Sequence, residues 1–536
     1  LPPTEFTVED SISKELLRLS IEDRSAIYEE IHGVKCLATN ETPELTERSL
    51  KEFDRALIEL VQGRKRKRES IFRSNSNNDG NTPTAEEWKS ADRDILRNVK
   101  SLYAEKKIDN NNSNDHCYLN ESKIRLCFLR TEFFDVKRAV RRFVGFLEYT
   151  SELFGDFVAE RPIRISDFDD DEKVALRNSR QQLLPFRDRS GRQVYVSVGD
   201  CGFELDAVMR NKIRMFLLCT AMQDNETQCK GVVVISWPSG DTWPKILSKI
   251  SRRDQEERKR FVECKPLRFA SFHLCFQDSP FFRSLATLCV FSLDSQTRVV
   301  TKSHFGESIE IQYKLMGYGI PVDLLPLSHT GNVKTTNHLL WMNALKLQLQ
   351  EEEEEEEAKS RTTTTTNTMK PQSAILKSQV VVCPYFYDVL SRKGKRYTNN
   401  PGNMFFRGLI ESTSLRHGAS SRIEKFHITQ GILQEIEQRG GRFLEWSSAK
   451  NAWFVTEDRK SIHSRIACTF RELKRGKRSA SKPDGNPNNN NKNGKFNALS
   501  GEAAAAIYVP TAGVFAQNLL CDTVFLSSKR QELGFC

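Results

Sequence analysis

The sequence lacks the signatures that most directly indicate a catalytic, metal-binding or membrane-spanning protein. Its 13 cysteines are scattered and no two are spaced as Cys-x-x-Cys, which argues against a zinc ribbon or a dithiol redox site. It contains no run of 18 apolar residues, so no segment predicts a transmembrane helix. A P-loop, a G-x-S-x-G nucleophile elbow and an H-E-x-x-H zinc motif are also absent from the sequence. We therefore expect a protein that is not an enzyme.

The composition is that of a multidomain chain with unfolded stretches. The 536 residues are enough for several domains, but only 38% are hydrophobic and the mean hydropathy is -0.54. Scattered single thiols are typical of a reducing compartment. We expect a cytoplasmic protein, with the nucleus as an alternative because the basic run Arg64–Arg68 resembles a nuclear localisation signal.

Changes in composition along the chain predict five regions. The first is helical and charged, the second has an α/β pattern, the third is acidic and threonine-rich, the fourth is basic, and the last is rich in asparagine. We place them at 1–120 (with a disordered loop at 64–84), 121–345, 346–378 (a disordered linker that contains seven consecutive glutamates), 379–478 (a small α+β module) and 479–536 (a mostly disordered tail).

Strand and helix patterns alternate within the second region. GVVVISWP (231–238) and LRFASFHLCF (267–276) are nearly continuous apolar runs, as in strands that are covered on both faces. TRVVTKSHF (297–305) alternates and predicts a further strand. Charged or amphipathic helices separate these runs, so we predict an α/β domain with a mixed sheet flanked by helices.

One segment is far more apolar than its surroundings. SPFFRSLATLCVFSL (279–293) carries a single charge, Arg283. Each large apolar side chain contributes about 1.5–3 kcal/mol when it is buried, so this segment is costly to leave in water. It is too short to span a bilayer, which needs about 20 residues. Four interpretations are open: a core helix, an interface, a helix on a membrane surface, or the wall of a pocket.

Three motifs in the region from about Lys123 to Trp341 resemble the CRAL-TRIO lipid-binding family. The first is the helical lead-in IRLCFLRTEFFDVKRAVRRFVGFLEY, and the second is LLPFRDRSGRQVYV, which is similar to the family's LPG-x-D-x-x-GRPV turn. The third is the order strand, D-S-P turn, apolar segment and a strand that ends in KSHFG. Phe186 and Gln193 stand where the family has glycine and proline.

The resemblance implies a function and a site. A CRAL-TRIO domain holds a lipid or another hydrophobic small molecule, including phosphoinositides in some members, behind a mobile gate helix that contacts a membrane transiently. We accordingly expect lipid binding, with lipid transfer or lipid sensing as the role, and no cofactor apart from a bound lipid. The implied pocket and gate residues are the apolar ones of the segment: Phe281, Phe282, Leu285, Leu288, Phe291 and Leu293.

The fourth region resembles an uncharacterised domain found in algal proteins, and it is strongly basic. The resemblance rests on NNPGNMFFRGLI, GGRFLEW and AWFV, between about Tyr385 and Arg478. That stretch holds 19 Lys and Arg against 9 Asp and Glu, an excess equal to the formal charge of +10 for the whole chain. The basic residues that we expect on its surface are Arg392, Lys393, Lys395, Arg396, Arg407 and Arg442.

Such a surface suits an anionic partner. An acidic protein, an anionic membrane and nucleic acid all fit, and a simple solvated basic face fits as well. The predicted order helix, helix, hairpin, helix is also compatible with a winged DNA-binding module. The alternative function is therefore that of a nuclear regulatory protein that binds nucleic acid through this module.

Overall fold

The computed structural model describes residues 13, 15–74, 118, 121–239, 243, 246, 252–328, 332–363 and 380–480. The helices are α1 (Ile21–Ile31), α2 (Pro43–Ser74), α3 (Ser122–Thr131), α4 (Val136–Phe154), α5 (Asp170–Arg177), α6 (Ala207–Ala221), α7 (Asn225–Lys230), α8 (Arg252–Cys264), α9 (Pro280–Phe291), α10 (Ser295–Val299), α11 (Ser308–Gly317), α12 (Thr336–Thr363), α13 (Lys395–Thr398), α14 (Pro401–Ala419), α15 (Arg422–Gln438) and α16 (Arg459–Ala480). The strands are β1 (Gln181–Leu183), β2 (Gln193–Gly199), β3 (Val232–Pro238), β4 (Phe269–Phe276), β5 (Thr301–Phe305), β6 (Val380–Val381), β7 (Val389–Ser391), β8 (Phe443–Ser447) and β9 (Ala452–Val455). Short 3-10 turns lie at Asp156–Ala159, Ile165–Asp167 and Val322–Leu324.

The chain forms two compact units whose limits differ from the predicted domain boundaries. The first unit comprises Leu1–Asn403 and Arg439–Glu457, and the second comprises Met404–Gln438 and Asp458–Cys536. Both sheets of the described structure lie in the first unit. The strands of the predicted basic module therefore fold with the α/β region, whereas α15, α16 and most of α14 form the helical second unit.

The larger sheet is mixed, as the sequence predicted. Its order is β1-β2-β3-β4-β5, with β1 antiparallel to β2 and the other neighbours parallel. Both faces are covered, which explains the nearly continuous apolar runs. On β4, Leu274 and Phe276 lie in the cluster that includes α9, whereas Cys275 lies in the cluster that includes α11.

The helices before the sheet pack against it and against one another. Phe53 of α2, Phe128 of α3 and Phe143 of α4 are fully buried, and Phe143 makes edge-to-face contacts with the other two rings. Such geometry stabilises aromatic pairs beyond the area they bury. Helix α1 is held differently, through a buried ion pair of 2.7 Å between Glu30 and Arg268.

The smaller sheet has the order β6-β9-β8-β7 and contains the hairpin that the sequence predicted. Trp446 of β8 pairs directly with Trp453 of β9, and the two rings meet edge to face at 5.2 Å. The two tryptophans are therefore cross-strand partners that stabilise the hairpin.

Helix α12 joins the two sheets where the sequence predicted the start of a linker. Trp341 near its start is buried in the core of the α/β region. About two turns further on, the Gln348 amide donates to the carbonyl of Val380 at 3.0 Å, and in the next turn Glu351 accepts from the Val380 N–H at 3.1 Å. The predicted linker at 346–378 therefore begins as helix, up to Thr363, and residues 364–379 lie outside the described part.

Three other segments differ from the predicted secondary structure. The loop predicted at 64–84 begins inside α2, which runs to Ser74, and residues 75–84 lie outside the description. The strand predicted at 297–305 starts only at Thr301, because the Asp294 side chain accepts from the Thr297 N–H and caps α10. The acidic stretch SDFDDDEK (166–173), whose composition predicts a loop, leads into α5, because Asp169 makes a capping box with Glu172.

The turn Phe186–Arg192, between β1 and β2, is built around a buried ion pair. Asp188 accepts from the Arg192 backbone N–H at 2.7 Å and from its Nε at 2.8 Å, and both side chains are almost fully buried. Arg192 also donates to the carbonyl of Glu30 in α1. Gly191 has φ +81°, and a Cβ there would lie 2.4 Å from Lys230 Nζ, so the turn needs glycine at this position.

Arg187 of the same turn points to the smaller sheet. Its Nε donates to the carbonyl of Pro384 at 3.0 Å, and it forms ion pairs with Asp224 and with Glu226. Burial alone would raise the pKa of Asp224, but the adjacent Arg187 guanidinium holds it below its usual value. The turn thus connects α1, the larger sheet and the segment before β7.

We predict that Asp188→Ala destabilises the first unit by about 3–5 kcal/mol, because it leaves Arg192 charged and buried without its partner. The measurement is urea unfolding followed by tryptophan fluorescence, since Trp237, Trp341 and Trp453 all lie in that unit. Asp170→Ala, which removes an exposed carboxylate paired with Lys173, is the control and should cost less than about 1 kcal/mol. Equal losses in the two variants would contradict the assigned role of the pair.

Candidate functional site

The apolar segment forms helix α9, and local signals set both of its ends. The Ser279 side chain accepts from the Phe282 N–H at 3.3 Å, and Pro280 occupies the first turn, where it needs no hydrogen-bond partner. The helix ends at Phe291, just before the cap of α10. Of the helices in the described ranges, none is both long and apolar enough to cross a membrane.

Helix α9 is apolar on its inner face and on part of its outer face. Phe282 and Leu285 are buried, whereas Leu288 is 60% exposed and Phe291 is 45% exposed. Phe281 and Leu293 are half-buried. Two of the six residues predicted to line a pocket therefore lie on the inner face and two lie on the outer one.

The sequence-based prediction missed two inner residues, Ala286 and Val290, both fully buried. They follow Phe282 at four-residue intervals, so the helical period starting at Phe282 would have indicated them. Arg283 lies at the outer edge, where it pairs with Asp278 at 2.8 Å and lies 4.8 Å above the Phe305 ring.

Aromatic side chains lie against the inner face of α9, and we call the two from the sheet, Phe276 and Phe305, the aromatic floor. Phe276 of β4 is 6.1 Å from Phe282 and 5.7 Å from Phe305, measured between ring centroids. Phe203 and Trp243 form an edge-to-face pair that belongs to the same cluster. The contacts are apolar and non-directional, so an acyl chain could replace them without leaving polar groups unpaired.

A cation without a matching carboxylate lies beside this cluster. Arg214 of α6 interacts with the hydroxyl group of Tyr195, and its guanidinium carbon is 5.8 Å from the centre of the Phe203 ring. No carboxylate in the described ranges forms an ion pair with it. Burial, together with the nearby Arg210 and Arg258, lowers the pKa of Arg214 to about 10, so it is still charged at neutral pH.

The two neighbouring arginines differ in their partners. Arg210 pairs with Asp254 at 2.9 Å. Arg258 of α8 instead donates to the Ser292 hydroxyl at 2.9 Å, at the end of α9. Arg214 and Arg258 therefore form a positively charged corner next to the C-terminal end of the helix. One sequence signal could have indicated Arg214. It is a charged residue within FELDAVMRNKIRMFLLCTAMQ (203–223), a predicted helix that is too apolar to lie on the surface.

His273 and His304 meet on the other face of the sheet. Their ring nitrogens are 3.0 Å apart, and both residues are buried. Burial, and for His273 the adjacent His304, lowers the pKa of both rings, that of His304 to about 4. No three His, Cys, Asp or Glu side chains of the described ranges are grouped so that they could hold a metal ion.

The basic residues predicted on the surface of the C-terminal module differ in their contacts. Arg442 pairs at 2.8 Å with the buried Asp388, and its guanidinium carbon lies 3.9 Å from the centre of the Tyr385 ring. Arg396 donates to Asp323 at 2.9 Å.

The other members of the predicted basic surface lie around the same loop and the next helix. Arg392 is exposed and stacks on Trp446 at 3.7 Å, and Lys393 is exposed. Arg407 is half-buried, and the side chain of Lys395 lies outside the description.

We predict that Arg214→Met leaves the stability of the lipid-free protein unchanged or raises it by about 1 kcal/mol or more, because it removes a desolvated charge that lacks a counter-ion. Thermal unfolding measures this. Arg210→Met is the matched control on the same helix, and it should destabilise because it removes the ion pair that the buried Arg210 forms with Asp254. Equal destabilisation by both substitutions would show that Arg214 has a structural partner.

Comparison with known proteins finds a family model that matches one part of the chain. A family model described as a domain of unknown function, DUF6824, matches residues 388–472, which agrees with the resemblance noted for the C-terminal module. No curated protein matches the chain. Among solved structures the chain is similar to the "Crystal structure of Sfh5", with 12% identity, a TM-score of 0.27, and coverage of 44% of this chain and 85% of that one.

Proposed function

We propose that the α/β region binds one lipid, without catalysis, between α9 and the aromatic floor of the sheet. The observation that carries this proposal is the two-sided apolar character of α9. Phe282 and Leu285 cover the floor, while Leu288 and Phe291 are exposed to solvent. A helix that only closed a core would not need large apolar groups on its outer face. The motifs that resemble the CRAL-TRIO family support the same function.

The exposed residues suit contact with a membrane surface. Apolar side chains on a short helix insert into the boundary between headgroups and acyl chains, where their burial is favourable. Opening α9 exposes Phe282, Leu285 and Val290, each worth about 1.5–3 kcal/mol when buried. Apolar contacts of a lipid chain with the aromatic floor, and insertion of the outer face of α9 into a bilayer, together offset that free-energy cost.

The charged corner supports an amphiphile with an anionic headgroup as the ligand. Arg214 and Arg258 lie at one end of the apolar cluster and form no ion pair with a carboxylate in the part of the chain that the structure describes. A phosphate or carboxylate group would provide the ion pair that Arg214 does not form with any described carboxylate. The proposed lipid therefore has its head at this corner and its chain under α9.

The test of binding uses the full-length protein. Purified protein is extracted and analysed for lipid by mass spectrometry, and the delipidated protein is mixed with vesicles that contain fluorescent phosphatidic acid or fluorescent phosphatidylcholine. We expect stoichiometric lipid and preferential uptake of phosphatidic acid. The preference should be lost in Arg214→Met and retained in Arg214→Lys. If no lipid is recovered and none is taken up, the proposed function is wrong. Equal uptake of both lipids would reject only the headgroup assignment.

The outer face of α9 can be tested separately. We predict that Leu288→Asp changes the free energy of unfolding by no more than about 0.5 kcal/mol, because Leu288 is mostly exposed. The same variant should transfer lipid between vesicles at least about tenfold more slowly, because the charge opposes insertion. Val174→Asp, which changes an exposed apolar residue of α5, is the control and should transfer at the normal rate. A normal rate for Leu288→Asp would reject membrane contact through α9.

A further inference from the structure

The second unit contains a cleft that plays no part in the proposed lipid site. It has a volume of about 550 Å³ and lies between the C-terminal end of α14, the first turn of α15 and the middle of α16. Its lining combines large apolar groups, such as Leu415, Phe470 and Leu473, with cations. The volume is in the range of ligand-binding pockets.

The apolar part of the cleft is well defined. Phe470 is buried, and His417 stacks on it with the rings 3.8 Å apart and nearly parallel. Burial, and then the charge of Lys425, lowers the pKa of His417, so this ring is neutral at pH 7. Leu415 at the rim is 86% exposed, which is unusual for a large aliphatic side chain.

The charged part of the cleft is positive only. Lys425, Arg471 and Lys474 line it, and no acidic residue does. No carboxylate of the described ranges forms an ion pair with any of the three. Arg471 donates from Nε to the carbonyl of Ala467 at 3.3 Å, which places its side chain along α16. The cations thus lie next to the apolar groups without being neutralised.

We propose that this cleft binds an acidic amphipathic helix of a partner protein. Its apolar residues would contact Leu415 and Leu473, and its carboxylates would pair with Lys425, Arg471 and Lys474. An amphipathic helix in a groove is a common mode of peptide recognition. Because the charged residues of the cleft are all positive, a complementary partner carries negative charge.

The shape of the site favours a peptide over nucleic acid. Proteins read duplex DNA with a convex helix or ribbon that enters a groove of the DNA, and phosphate contacts need exposed cations rather than a concave apolar surface. The chain's own segment 503–536 is a poor occupant, because its two acidic residues, Asp522 and Glu532, are balanced by Lys529 and Arg530.

The experiment measures fluorescence anisotropy of a labelled helical peptide with full-length protein. The peptide has about 18 residues, five turns of helix, with leucine on one face and glutamate elsewhere. Binding should weaken at least about tenfold, or about 1.4 kcal/mol, in Leu415→Asp and in the double variant Arg471→Glu with Lys474→Glu. Lys460→Glu, an exposed charge reversal on the same helix outside the cleft, is the control and should change binding less than about twofold.

Each alternative outcome overturns the proposal in a recognisable way. No peptide binding, or equal weakening by Lys460→Glu, would show that the cleft is not the site. Equal binding of a peptide with lysine in place of glutamate would reject charge complementarity. Salt-sensitive binding of duplex DNA that Leu415→Asp leaves unchanged, without peptide binding, would identify a nucleic-acid surface instead. Circular dichroism of each variant checks that the helices are intact.

Discussion

The buried charges of the turn Phe186–Arg192 are the constraint on which the first unit depends. Arg192 pairs with Asp188 and contacts α1, and Arg187 of the same turn contacts Pro384, between β6 and β7 of the smaller sheet. A buried ion that loses its partner is strongly destabilising, so each of these contacts must form correctly for the others to be tolerated. The turn therefore fixes three parts of the chain at the amino ends of the parallel strands.

The opposite ends of the strands are held by a different kind of interaction. Helix α9 follows the carboxyl end of β4, and apolar contacts with Phe276 and its neighbours hold it there. Ionic contacts require one geometry, whereas apolar contacts can be exchanged for others of similar area. The contacts of α9 can therefore be exchanged for those of an apolar ligand more readily than the ionic contacts of the turn. In open α/β sheets ligands bind at the carboxyl ends of the strands, which is where α9 begins.

The sequence predicted the elements well and the long-range contacts poorly. Nearly continuous apolar runs located β3 and β4, and the aromatic runs on both sides of SSAK (447–450) located the hairpin β8–β9. The glutamate run predicted a linker, but α12 continues through that run to Thr363. Gln348 and Glu351 of this helix form hydrogen bonds with Val380, and composition cannot indicate such a contact. In the candidate site, the sequence located the apolar segment. Only the packing of α9 in the structure shows that Leu285 faces inward and that Leu288 faces solvent.

Charge pairing separates the cations that hold the fold from those available to a ligand. Counting along the sequence placed the positive excess in the C-terminal module, but it gave Arg396 and Arg442 the same weight as any other basic residue. In the structure those two face Asp323 and Asp388, so their charge is largely compensated within the chain. The half-buried Lys425 has no such carboxylate partner among the described residues, and neither has the half-buried Arg214 beside α9. Because folding tends to match buried and half-buried charges, unmatched ones next to apolar surface indicate where an anionic ligand would complete the structure.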